Sequence, residues 1–260
     1  MVQLIFRVFI PCLLFVSVNN AQAQKEIIID DSLAANAVKQ NVKMGSQGFG
    51  KIWKFHFGDY AVVSSKMGWT TTSSKSNLFN TKTESKTTEK FSFIMTNKVN
   101  DSARVNAANN IKVQTLKELQ LLPNFYWGSN ELLSESDNFS AYININGDTT
   151  ETWGLFMNIV RGSTAKGSYE AFLSNGPRRI ILFAASSDKE GMPGKPLPAL
   201  GYKFVENESI LGALQYLGGG MLGYNKNIVW IDDRLDEKSK LILAAAMTAI
   251  MQKKMNEAAR

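Results

Sequence analysis

Thiols and imidazoles are almost missing from this chain: its 260 residues contain one cysteine, Cys12, and one histidine, His56. Cys12 lies inside an N-terminal apolar run, Val8 to Val18, that reads as part of a cleaved leader. The chain beyond that leader is therefore expected to carry no thiol, which removes disulfides, thiolate catalysis and cysteine-ligated metals together. A single histidine also excludes a histidine-rich metal site and leaves only oxygen-ligand sites of the kind that hold calcium or magnesium. Neither a metal nor any other cofactor is expected. A Ser-His-Asp triad would have to use His56, yet no Gly-x-Ser-x-Gly elbow accompanies it, and a polar strand position explains it sufficiently. Bilayer-length apolar segments are missing as well. The apolar run near the C-terminus, Leu241 to Met251, has eleven residues, where a membrane-crossing helix needs about 20.

The imbalance of charge is small too. Lys and Arg number 29 against 23 Asp and Glu, a net +6. Removing the leader takes away only Arg7 and leaves +5. That excess is far from the clustered basic stripe of a nucleic-acid binder, and it suits an anionic lipid surface or an acidic glycan as partner. The leader itself spans Met1 to Ala23, with Arg7 in a short charged region, the apolar run, and Ala21-Gln22-Ala23 as a small-residue cleavage site. Cleavage is expected after Ala23, with export to the periplasm or cell envelope.

What is abundant is alternation. From Lys51 the pattern has period two, with Trp53, Phe55 and Phe57 on one face. Gly58-Asp59 turns the chain into a returning strand, Tyr60 to Lys66. Phe91, Phe93 and Met95 share a face, and so do Phe139, Ala141, Ile143 and Ile145. Asn146-Gly147 between that last strand and Trp153, Leu155 and Met157 supplies the positive φ angles of a tight hairpin. Two more strands are expected at Tyr169 to Leu173 and Arg179 to Ala184. Upstream, Lys25 to Asp31 reads as a short strand and Ser32 to Val42 as a helix capped by Asp31 or Ser32. The Ser, Thr and Lys-rich stretch from Trp69 to Lys90 fits exposed strand or loop, and Leu116 to Leu122 fits either a short helix ended by Pro123 or a strand.

The last quarter organises the rest. A hairpin, Gly201-Tyr202-Lys203-Phe204-Val205 and Ile210 to Tyr216, leads through a Gly-rich link to Ile228-Val229-Trp230-Ile231 and then to one helix at about 236–254. Leu241 to Met251 keeps only Thr248 polar, so the helix has no solvent-facing stripe and is expected to be buried on all sides. Residues 24–260 thus form a single all-β domain, an antiparallel barrel or closed sandwich around a buried C-terminal helix. This order of Gly201 to Phe204, Ile210 to Ala213, Ile228 to Ile231 and Leu241 to Met251 resembles the tubby C-terminal-like superfamily, which includes the phospholipid scramblases. The resemblance implies a twelve-stranded barrel threaded by that helix and lipid- or membrane-associated binding. No family binding residue carries over, and the leader and composition otherwise fit a bacterial envelope protein.

Candidate functional residues are few. Glu131, Glu135 and Asp137 are expected in a loop near Trp127, a composition that suits a glycosidase-like cleft. Gly218, Gly219 and Gly220 form a wide turn with exposed backbone and, with Trp127, are expected to contact the ligand. They do not form a phosphate cradle, because a strand follows them where a cradle needs a helix N-terminus. Lys82 and Lys86 belong to a basic polar stretch suited to anionic lipid or glycan. Asp232, Asp233, Asp236 and Glu237 precede the helix and read as its cap. The function expected first is a non-catalytic envelope protein that binds a lipid, glycan or protein partner. A metal-independent hydrolase using loop carboxylates is the alternative.

Overall fold

The computed structural model describes residues 26–77, 82–116, 119–122, 125–127, 131–148, 150–164, 167–189, 194, 196–220 and 226–259. The leader, its Cys12 and its cleavage site lie outside the described residues. Alternation becomes strand except over residues 51–54, where pairing starts only at Phe55 and Ile52, not Trp53, is the fully buried side chain. The chain runs through α1 (Asp31–Asn36), β1 (Ala37–Asn41), β2 (Lys43–Met44), β3 (Phe55–Phe57), β4 (Tyr60–Met67), β5 (Thr71–Ser76), β6 (Lys82–Thr96) and β7 (Ser102–Leu116). A small hairpin of β8 (Leu119–Leu122) and β9 (Phe125–Trp127) precedes β10 (Glu131–Ile145). Then follow β11 (Thr152–Arg161), β12 (Ser168–Ser174), β13 (Arg179–Ser186), β14 (Leu200–Glu206), β15 (Ser209–Leu217), β16 (Ile228–Asp232) and the helix α2 (Glu237–Ala258).

Apart from the separate β8–β9 hairpin, the strands form one antiparallel sheet in the order β1-β16-β15-β14-β13-β12-β11-β10-β7-β6-β4-β3-β2, with β5 beside β6. The path begins on β1 and ends on β2, which only Val42 separates in the chain, so the sheet comes back on itself as a nearly closed barrel. An eight-stranded barrel is filled by its own side chains, and a ring this much larger leaves an interior that something else must fill. Here α2 fills it. Leu241 to Lys253 are all buried, and the helix packs on β7, β10, β15 and β16. Small inward residues on those strands admit it: Ala103 and Ala107 on β7, Ala141 on β10, and Gly212 on β15, where a Cβ would stand 2.9 Å from the Met247 methyl. The helix answers with Ala244, Ala245, Ala246 and Ala249, each fully buried. Asp236 caps it by accepting from the Ser239 amide at 2.9 Å and the Ser239 hydroxyl at 2.7 Å. Asp232 instead takes the Arg234 guanidinium at 2.6 Å. Among the described residues no helix is long and apolar enough to cross a membrane.

Two local expectations give way to tertiary pairing. The helix expected over residues 32–42 stops at Asn36, and Ala37–Asn41 instead become β1. All five residues of β16 are buried, so its free edge needs a partner, and β1 supplies the ladder from Ala37–Asp232 to Asn41–Ile228. Residues 27–30 are not a strand; they lie along the outside of the wall, where Ile27 and Leu33 cover Ala185, Ala213 and Trp230 in a second small core. The Trp69 to Lys90 stretch resolves into β5 and the first half of β6, and Leu119–Leu122 into strand.

Candidate functional site at one mouth of the barrel

The two ends of the barrel differ. The turns at Gly58-Asp59, Asn146-Gly147 and Asn207-Glu208 surround the N-terminus of α2, where Lys238 meets Glu151 at 2.5 Å. The opposite mouth surrounds the helix C-terminus, and there the inward rows change character. On β6, β7 and β10 the inward residues pass from Phe91, Ala107 and Ala141 to Glu89, Asn109 and then Asp137, all buried. On the helix, Gln252, Lys253, Asn256 and Glu257 replace the apolar core.

Lys253 is the hub. Its side chain has no solvent exposure, and its ammonium donates to Asp137 Oδ2 at 2.6 Å and to Glu257 Oε1. Glu257 also receives Lys254 at 2.8 Å, while the Lys254 ammonium stands 5.1 Å from the centre of the Tyr216 ring. One buried cation cannot neutralise two carboxylates, and the second lysine decides between them. Burial pushes the Asp137 carboxyl up from its ordinary value, against the pull of Lys253. Burial acts the same way on Glu257, but Lys253 and Lys254 together outweigh it and hold that carboxyl below its ordinary value. Asp137 Oδ1 and both side-chain atoms of Asn109 are buried with no hydrogen-bond partner among the described residues. Burial also raises the Tyr216 and Tyr202 hydroxyls, whose rings lie 5.3 Å apart.

Two recesses open around the last helical turns and share Lys254 and Glu257. One is a polar chamber of about 200 Å³ lined by Glu135, Asp137, Ile159 and Arg161 besides the shared pair. The other is a cleft of about 430 Å³ between α2, β2, β14 and β15. Its wall is apolar where Met44, Leu200, Leu217, Met251 and Met255 meet, and polar where Tyr216, Asn227, Lys254 and Glu257 meet. Three methionines give such a wall soft, adaptable contacts.

The structure relocates several expected site residues. Glu131, Glu135 and Asp137 are not in a loop: they form the first part of β10, because Glu135 and Asp137 continue the inward alternation of Phe139 and Ala141. Glu135 is held by the Arg161 guanidinium through two bonds, 2.6 and 2.9 Å. His56 is exposed on β3 beside the turn at the other end and makes no side-chain hydrogen bond or ion pair among the described residues, so no triad is assembled there. Gly218 and Gly219 are buried, and the Gly220 amide donates to Leu197 at 3.0 Å with φ +71°. They leave β15 directly beyond Leu217 and so border the cleft without lining it. Lys82 and Lys86 point outward on β6, where Lys86 faces Lys112. Trp127 belongs to β9, and its side chain lies outside the described residues. Lys253, Lys254, Glu257, Met251 and Met255 join the site only through the structure. The Lys253 to Glu257 spacing, four apart on a helix, was the available signal.

Among the described residues no group of three or more His, Cys, Asp or Glu is placed to hold a metal. No family model, curated protein or solved structure matches the chain.

Proposed function

We propose that the protein is an exported, non-catalytic envelope protein that binds an amphiphile with an anionic head in the cleft at the helix C-terminus. The observation that carries this reading is the division of the cleft wall: methionine and leucine on one side, and on the other Tyr216 and the Lys254 ammonium, which Glu257 holds at the cleft edge. Ligand sites are mostly apolar concavities with a few placed polar groups, and a wall of this chemistry accepts an acyl chain and orients its head. The C-terminal pattern that resembles the tubby-like superfamily points to the same ligand class. The hydrolase alternative has a protonatable acid in Asp137, but its partner Glu135 has both oxygens on Arg161. A carboxylate so held is a poor base or nucleophile.

The test is a titration with a dansyl-labelled fatty acid. Wild-type protein is expected to give saturable fluorescence enhancement at about one probe per chain. Leu217→Trp, which fills the cleft, removes it. Lys254→Ala weakens it about tenfold, the value of roughly 1.4 kcal/mol for a charge-assisted contact. Absence of saturable binding, or equal binding by Leu217→Trp, would overturn the reading.

A further inference from the structure

The outer wall carries a second constellation, remote from the mouth and independent of the ligand proposed there. Two neighbouring cross-strand rows face outward across β4, β6, β7, β10 and β11. One runs Lys66, Ser92, Asn106, Tyr142 and Gly154, and the other runs Lys90, Ala108, Ser140 and Phe156. Small residues at Ser92, Ala108 and Ser140 leave a shallow recess of about 350 Å³ between two lysines on one side and Tyr142 on the other.

Three features distinguish this recess from ordinary solvated sheet. First, its largely apolar floor is edged by polar groups without partners. Among the described residues Lys66 and Lys90 form no ion pair, and the side chains of Ser92, Asn106 and Ser140 have no hydrogen-bond partner. Second, its aromatic side is built. Tyr142 is 49% exposed, and the Phe156 ring braces it edge-on at 6.1 Å and 86°. Phe156 in turn packs on Phe172 at 5.3 Å, with the Arg179 guanidinium 4.0 Å above that ring. Third, the brace depends on a missing side chain. Gly154 stands opposite Tyr142, and a Cβ there would come within 2.5 Å of the Phe156 ring that occupies its place.

We infer that this recess binds an acidic oligosaccharide, a chain containing uronic acid or similarly charged sugar units. A braced, half-exposed aromatic ring offers its face to the C–H surface of a pyranose, and aromatic side chains give contact area at low entropic cost. Free hydroxyl and amide groups match sugar hydroxyls. Two unpaired ammonium groups match a carboxylate on the sugar. The recess is shallow and open, with a largely apolar floor edged by polar groups, which suits the C–H face of a sugar ring and gives an acyl chain no enclosing channel.

The experiment is calorimetric titration of the full chain with oligogalacturonate, with neutral dextran oligomers as comparison. Variants are Tyr142→Ala, the pair Lys66→Gln with Lys90→Gln, and a control pair, Lys75→Gln with Lys112→Gln, which removes the same charge from the same sheet outside the recess. Wild type is expected to bind the acidic oligomer and not the neutral one. Tyr142→Ala and the recess lysine pair each weaken binding at least tenfold, while the control pair changes it less than twofold. No binding to the acidic oligomer refutes the inference. So does equal loss in both lysine pairs, or full binding by Tyr142→Ala, since either outcome means undirected charge attraction. Phosphatidylglycerol vesicles serve as a further arm: tighter binding to them, lost in the same recess variants, identifies an anionic lipid surface and refutes the glycan.

Discussion

Lys253→Met isolates what the buried lysine does at the mouth. The substitution keeps the length and packing of the side chain and removes one charge from a site with no solvent exposure. Asp137 loses its only described hydrogen-bond donor at 2.6 Å, and its other oxygen is already without a partner. Glu257 keeps Lys254. Removing one partner of a buried ion pair costs about 3–5 kcal/mol, a large share of the roughly 5–15 kcal/mol that holds a domain together. In a domain of this size that is a fall in Tm of about 6–20 °C. Urea and thermal unfolding at neutral pH measure it. The double variant Lys253→Met with Asp137→Leu removes the stranded charge as well and is expected to recover most of the loss, since apolar replacement of a buried pair is close to neutral. A loss below about 1 kcal/mol in the single variant, or a double variant no better than the single one, would refute the argument that Asp137 depends on Lys253.

Three further outcomes follow from the same packing. Ala245→Asp places an unpaired charge at a position with no exposure in the centre of the barrel and should prevent folding, so a cooperatively melting variant would show that α2 is not the filled core. Gly212→Ala sets a methyl 2.7 Å from the Trp230 carbonyl and 2.9 Å from Met247; overpacking of this kind costs about 1–3 kcal/mol, read as a lower urea midpoint. The raised Asp137 carboxyl gives a stability contribution that is complete below the unfolded value of about 3.9 and is lost as pH rises through the higher folded value. The stability of wild type relative to Asp137→Asn should therefore fall as pH climbs above about 4, and a flat or rising difference across a pH series of urea midpoints contradicts the assignment.

The architecture was legible because burial writes itself into periodicity. Phe91, Phe93 and Met95 alternate because one face of β6 meets the helix, and Leu241 to Met251 lacks a polar stripe because strands surround it. Where long-range pairing decided the outcome the pattern misled. Ala37–Asn41 read as helix and became the strand that returns the sheet on itself, since the demand came from β16, nearly two hundred residues away. The site was less visible still. Glu135 and Asp137 were noticed as carboxylates, but their cations, Arg161 and Lys253, come from other elements, so a cleft residue and a clamped one look alike in sequence. Met44, Leu217 and Met251 become one wall only after β2, β15 and α2 meet. On the outer wall Gly154 is silent in sequence, and only the Phe156 ring in its place gives it meaning.

Native mass spectrometry of the chain isolated from the cells that make it, alongside Leu217→Trp prepared identically, tests amphiphile binding in the cleft without a chosen probe. The expected result is a retained anionic amphiphile at one copy per chain in the wild type and a bare mass in the variant. A bare wild-type mass, or the same bound species in both, would contradict it.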